Sequence, residues 1–170
     1  MGRDSLETIR LRETDPDAWG LMPTLLRRIQ DFVRLYDPDR VPGELARWVR
    51  VHFATDSDRL GLWAIRREGE VVGHVLASIE EAPVHLATPD PLAVADASIR
   101  RWVFVGQAEF DRRAGSRSER IRVRHSILEE LDQWGRAWDC TYLEMGTQHP
   151  VRFWEPFGFH FHRTVLRRPL

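Results

Sequence analysis

Trp102-Val103-Phe104-Val105-Gly106-Gln107-Ala108-Glu109-Phe110 alternates in the manner of a β-strand, with one glycine inside an otherwise largely apolar run. Strict alternation assigns Trp102, Phe104, Gly106, Ala108 and Phe110 to one face and Val103, Val105, Gln107 and Glu109 to the other. A glycine at that place marks a bulge or a close backbone approach. An arginine-rich loop (Asp111–Arg117) follows, and the capping-box spacing Ser116-Arg117-Ser118-Glu119 starts a helix near Arg117. Val123, Ile127, Leu131, Trp134 and Trp138 then recur at helical spacing, which predicts a core-facing helix to about Ala137. A second strand (Thr141–Gly146) and a short aromatic helix from about Pro150 to Phe157 come next. Gly158-Phe159 stops that helix, and a last alternating strand runs from Phe159 to about Arg167.

Working back toward the N-terminus, Leu6–Arg12 alternates with a period of two and predicts a half-buried strand. Trp19, Met22, Leu25, Leu26, Ile29, Phe32 and Val33 fall at helical spacing; Pro23 belongs to the first turn or divides this helix in two. A second helix carries Leu45, Trp48, Val49 and His52/Phe53 on one face. Leu60–Arg66 and Glu70–Glu80 form a hairpin around Arg67-Glu68-Gly69. Glu81–Arg101 is rich in Ala, Pro and Asp and is far longer than the usual hairpin link of ~2–5 residues. Such loops serve as lids, interface elements or disordered segments, and the apolar content of this one favours a packed segment.

The 170 residues suit one domain with its own core. No apolar run reaches the roughly 18 residues that span a bilayer, and residues 1–4 lack a signal-peptide core, so a cytoplasmic location is expected. One cysteine, Cys140, excludes an internal disulfide and a multi-cysteine zinc site, and its place at an apolar strand makes it a buried thiol. All 25 basic residues are arginine, so the chain offers no lysine nucleophile or Schiff base. A net charge of −1 confines any polyanion site to a local patch. His160 and His162 share a strand face without a third ligand at metal spacing, and no metal is expected. Nucleophile-elbow and dinucleotide-binding motifs are absent.

The order strand, arginine loop, long helix, strand and Phe153-Trp154-Glu155-Pro156-Phe157-Gly158-Phe159 resembles the acyl-CoA-binding half of the GNAT superfamily of N-acyltransferases, over roughly residues 60–167. The resemblance implies an α/β (α+β) single domain over 1–170, with a mixed, mostly antiparallel sheet of roughly six strands flanked by roughly four helices. It implies acyl-CoA, and acetyl-CoA first, as co-substrate, an amine of a small molecule or protein as acceptor, and direct attack in a ternary complex. Its pantetheine arm would lie between the fourth and fifth strands. Glu109 matches the general base, Gln107 an orienting polar group beside the cofactor, and the Gly106 region the part that polarises the thioester carbonyl. Tyr36 and Asp37 fall where the acceptor cleft is bordered.

The family binds the CoA pyrophosphate with Gln/Arg-x-x-Gly-x-Gly/Ala at the start of the long helix, where free N–H groups face the phosphates. Counting back from Trp134 places arginine at both glycine positions, in Glu119–Arg124. Counting forward from the preceding strand gives Arg112, Arg113, Gly115, Ser116 and Arg117, the preferred phosphate loop because the capping box begins there. Both versions are degenerate. Trp154 stands where the family commonly has a tyrosine that protonates the thiolate. The alternative is a catalytically inactive protein of the same fold, used as an interaction or assembly module or as a homodimer. Nucleic-acid binding through the arginine patch is a weaker reading, and nothing points to a membrane.

Overall fold

In a computed structural model of the chain, residues 5–36, 41–55, 58–83, 99–111, 113–146 and 155–159 are described. The elements run β1 (Glu7–Leu11), α1 (Pro16–Tyr36), α2 (Pro42–Thr55), β2 (Leu60–Arg67), β3 (Glu70–Pro83), β4 (Ile99–Phe110), α3 (Arg117–Ala137) and β5 (Leu143–Met145). A short 3₁₀ turn at Glu155–Phe157 follows. The sheet order is β1-β2-β3-β4-β5, antiparallel except for the parallel β4–β5 pair. The class is therefore the expected mixed α+β domain, with five strands and three α-helices among the described residues. The expected final strand, the first part of the aromatic helix and the middle of the insertion lie outside them.

Two apolar layers follow from the alternation of the strands. Leu60, Leu62, Ala64 and Leu76 face α1 and α2, packing against Met22, Leu25, Ile29, Val33, Leu45, Val49 and Phe53. Trp63, Ile65, Val75, Ala77, Ile79, Val103 and Val105 face α3 and meet Val123, Ile127, Leu131 and Trp134. On the α3 side the Arg10 guanidinium lies 5.4 Å from the Trp63 ring centre and 4.9 Å from that of Trp134. Trp63 Nε1 donates to Glu130 at 2.7 Å and Trp134 Nε1 to the Asp58 carbonyl at 3.0 Å, so both buried indoles are satisfied.

Three expectations change. α1 is one helix through Pro23, because Pro23 faces solvent, where water can take the carbonyl its ring leaves unbonded, while Ala18, Met22, Leu25, Ile29 and Val33 keep the opposite stripe buried. The insertion is shorter than Glu81–Arg101, since the β3–β4 ladder continues to Pro83↔Ile99 and leaves residues 84–98 as the connection. The strict alternation of β4 fails at Gly106: Gln107 opposes Leu76 and Val105 opposes Ala77, so Gly106 is an extra residue with no partner on β3. Before this bulge Val103 and Val105 serve the α3 layer. Beyond it the faces exchange: Ala108 and Phe110 turn to α3, and Gln107 and Glu109 turn to α1.

Gly61 is dictated by its neighbour, for a Cβ there would lie 2.4 Å from the ring of Trp63, which is fully buried and cannot withdraw. Replacement of Gly61 by Ala is expected to cost about 1–3 kcal/mol through overpacking, read as a lower urea midpoint at unchanged slope.

Candidate active site

The bulge opens onto a cleft of about 420 Å³ between the sheet and the two N-terminal helices. Phe32 and Val33 of α1, Leu45 and Trp48 of α2, Leu76 of β3 and Phe104 of β4 supply its apolar wall. Its polar groups are Glu44, Ser78, Glu80 and Gln107, with Gly106 at one end. Among the described residues, no arginine lines it. Ser78 Oγ donates to Glu80 Oε1 at 2.6 Å, inside the cleft. A Cβ on Gly106 would meet only Phe104 at 3.6 Å and the Leu76 carbonyl at 3.8 Å. The fold therefore tolerates a side chain there, and what the glycine preserves is open space beside the β4 backbone.

Behind Gln107 lies a chain of charged groups. His74 on β3 is fully buried, and its Nε2 is 2.9 Å from Gln107 Oε1. Its Nδ1 stands 3.4 Å from Glu109 Oε2, an ion-pair distance rather than a well-formed hydrogen bond, and has no other partner. Arg28 reaches over from α1, its Nη2 3.2 Å from Glu109 Oε2 and 3.2 Å from the Val72 carbonyl. His74 foremost, and Arg28 after it, hold the Glu109 carboxyl below its ordinary range against the opposing effect of burial. Glu109, expected from sequence as the base, is thus paired one layer behind the cleft and does not line it. A carboxylate with a depressed pKa is also the weaker proton acceptor.

The other edge of β4 carries β5. The parallel β4–β5 ladder covers Val103↔Leu143 to Val105↔Met145 and ends one residue before the bulge. Past that point β4 runs on to Phe110 without a β5 partner among the described residues.

The expected phosphate loop adopts a conformation of its own. Ser116 caps α3: its Oγ accepts from Glu119 N–H at 3.3 Å, and Glu119 Oε2 accepts from Ser116 N–H at 2.7 Å. Gly115 supplies the left-handed turn before the cap (φ +70°), and Arg120 Nη1 donates to its carbonyl at 2.7 Å. The Glu119 carboxylate therefore takes the place at this helix end that an external anion would take. Bonds from Ser116 N–H and Oγ keep its carboxyl below the usual range. Arg113 and Arg117 are exposed beside it, while Arg112 is outside the described residues. Tyr36 packs on Phe32, ring centres 4.7 Å apart, one turn beyond the cleft rather than in its wall. Asp37 and Trp154 also lie outside the described residues. Glu44, Ser78 and Glu80 were missed; the parity of Glu80 with Ser78 and Leu76 on β3 was the available signal.

The same arrangement of sheet and helices occurs in solved acetyltransferases. An aminoglycoside acetyltransferase from an uncultured soil metagenomic sample superimposes with a TM-score of 0.61 at 16% identity, covering 98% of this chain and 99% of that one. A predicted acetyltransferase from Clostridium acetobutylicum, solved with acetyl-CoA, gives 0.63 at 11% identity, with 96% of each chain covered. An aminoglycoside N-acetyltransferase in complex with CoA gives 0.60 at 15% identity, covering 98% of this chain and 95% of that one. The chain has the GNAT fold. No family model matches the sequence, and no curated protein sequence matches it significantly. This chain has a bulge at Gly106 of β4, and its own Glu119 closes the α3 N-terminus.

Among the described residues, no group of three or more His, Cys, Asp or Glu is placed to hold a metal ion, and no helix is long and apolar enough to cross a membrane.

The depressed pKa of Glu109 fixes the sign of a pH effect. Its pairing stabilises the fold fully above the ordinary glutamate pKa of ~4.3 and is lost as pH falls through the lower folded value. The urea-midpoint difference between wild type and Glu109→Gln is expected to be largest near neutrality and to shrink through the acid range. A difference independent of pH would show that the carboxylate charge contributes nothing.

Proposed function

We propose that the protein is an acyl-CoA-dependent N-acyltransferase that transfers an acetyl or similar short acyl group to an amine. The observation that carries this reading is the coincidence on one short stretch of β4: the β4–β5 ladder ends at Val105, the bulge falls at Gly106, and Phe104, Gly106 and Gln107 line the acidic cleft. The acyl donor enters between β4 and β5 and brings its thioester to the bulge. The acceptor enters the cleft under α1 and α2. Glu44 and Glu80 attract its ammonium group, and Phe32, Trp48 and Phe104 cover its apolar part.

The proton must leave before the nitrogen can attack. Ser78 already donates to Glu80, so its hydroxyl is free to accept from the amine while passing its own proton to the carboxylate. The C–N bond then forms as the C–S bond breaks, and CoA departs as the thiolate. Trp154 has no acidic group with which to protonate it. Glu109 contributes fixed charge behind Gln107. Arg113 and Arg117, with Arg112, hold the CoA phosphates by side-chain charge, a role left to side chains by the self-capped helix end.

The Glu119 cap also favours a second reading, a scaffold of the same fold that binds no CoA, and one measurement separates the two. Calorimetric titration with acetyl-CoA is expected to give micromolar binding that weakens in Arg117→Glu and is abolished in Gly106→Val, a variant whose added atoms fill the cleft rather than the core. Wild-type protein that ignores millimolar acetyl-CoA would leave the scaffold reading standing. Once an amine acceptor is found, Glu80→Gln should lower kcat by about 10²–10⁴ with a smaller change in acetyl-CoA affinity; an unchanged kcat would remove Glu80 from the proton path.

A further inference from the structure

The chain of groups from Gln107 through His74 to Glu109 and Arg28 has a direction that the acyl-transfer reading does not need. Gln107 is 5% exposed, lines the cleft, and spends its carbonyl on His74 Nε2 at 2.9 Å. An amide oxygen can only accept, so Nε2 carries a hydrogen. The other ring nitrogen faces the Glu109 carboxylate at 3.4 Å, and Glu109 is itself anchored by Arg28 at 3.2 Å. A lone pair turned toward that carboxylate would be repelled, whereas an N–H is attracted. The Phe32 ring lies edge-on to His74 at 6.3 Å, and Ala64 is opposite it on β2; neither carries a charge. Gln107 then has one group unspent, its NH₂, on the side away from His74.

We propose that His74 is a positioning residue, held by Glu109 and Arg28, which locks the Gln107 amide with its N–H donors turned into the cleft to recognise a carbonyl oxygen at the β4 bulge. On the acyltransferase reading, on which this identification of the ligand rests, that oxygen is the thioester carbonyl. The orientation of the amide is independent of that reading. Reversal of the amide would present its carbonyl to the cleft and require an unprotonated Nε2 on His74.

Two measurements decide it. Histidine side-chain nitrogen NMR, with His74 assigned by its absence in His74→Leu, is expected to show hydrogen on Nε2. A bare Nε2 on wild-type His74 overturns the proposed orientation. Calorimetry with acetyl-CoA and with CoA then reads the donor itself. Wild type is expected to prefer acetyl-CoA by about tenfold, the value of one hydrogen bond to a buried donor. Gln107→Leu and His74→Leu should each erase that preference without weakening CoA. The double variant should lose nothing more, and His74→Gln, which restores a donor near Nε2, should recover part of it. A preference that survives Gln107→Leu overturns the proposal even if His74→Leu fails to fold. Wild type binding neither ligand would remove the acyltransferase reading and the thioester with it, leaving the NMR result to decide the orientation.

Discussion

The backbone bulge at Gly106 is the constraint on which the rest of the molecule depends. β4 is flanked by β3 and β5 and has layers on both faces, so its side chains must serve two environments. A regular strand could not do this in the order the sequence presents. Val103 and Val105 belong with α3, and two residues later Gln107 and Glu109 must reach His74 and Arg28 on the other side. One unpaired residue exchanges the faces. Without that exchange, an amide and a carboxylate would be driven into the α3 layer, and Ala108 and Phe110 would be turned out of it.

α3 is held by two quite different means at its two ends. Near its C-terminal end Trp134 is wedged against Trp63, with Arg10 over both rings and Glu130 on the Trp63 indole. At its N-terminal end the helix is closed by a reciprocal pair of bonds between Ser116 and Glu119. The first device ties the helix to the sheet. The second satisfies the helix internally and leaves recognition of any anion to side chains around it. A permanently charged guanidinium suits that task, because it carries its donors on a long stem rather than in the main chain.

Much of the fold was legible because period and capping are local properties. The α3 limits, the β2–β3 hairpin and the inward stripe of α1 follow from residues within a few positions of one another. The bulge was signalled by Gly106, but not its consequence, since the exchange of faces depends on how β3 registers against β4. Glu109 illustrates the same limit in the site. Its sequence position fits a base; that it is also half-buried and paired with Arg28 and His74, both far away in sequence, no local pattern announces. Glu44 and Glu80 carried no motif at all, and only the packing of α2 over β3 brings them to one cleft. The continuity of α1 through Pro23 was likewise decided by which side of the helix the proline faces.

Three of the described tryptophans occupy places that make them optical reporters of two kinds. Trp63 and Trp134 lie at 0% and 5% exposure under a guanidinium, so their emission belongs to the folded layer beneath α3. Trp48 is 39% exposed and forms part of the cleft wall, stacked with His52 at 4.2 Å. Occupancy of the cleft would alter the fluorescence of the solvent-facing indole, whereas loss of the fold would redden that of the buried pair. Filling and unfolding would thus change different parts of one emission spectrum.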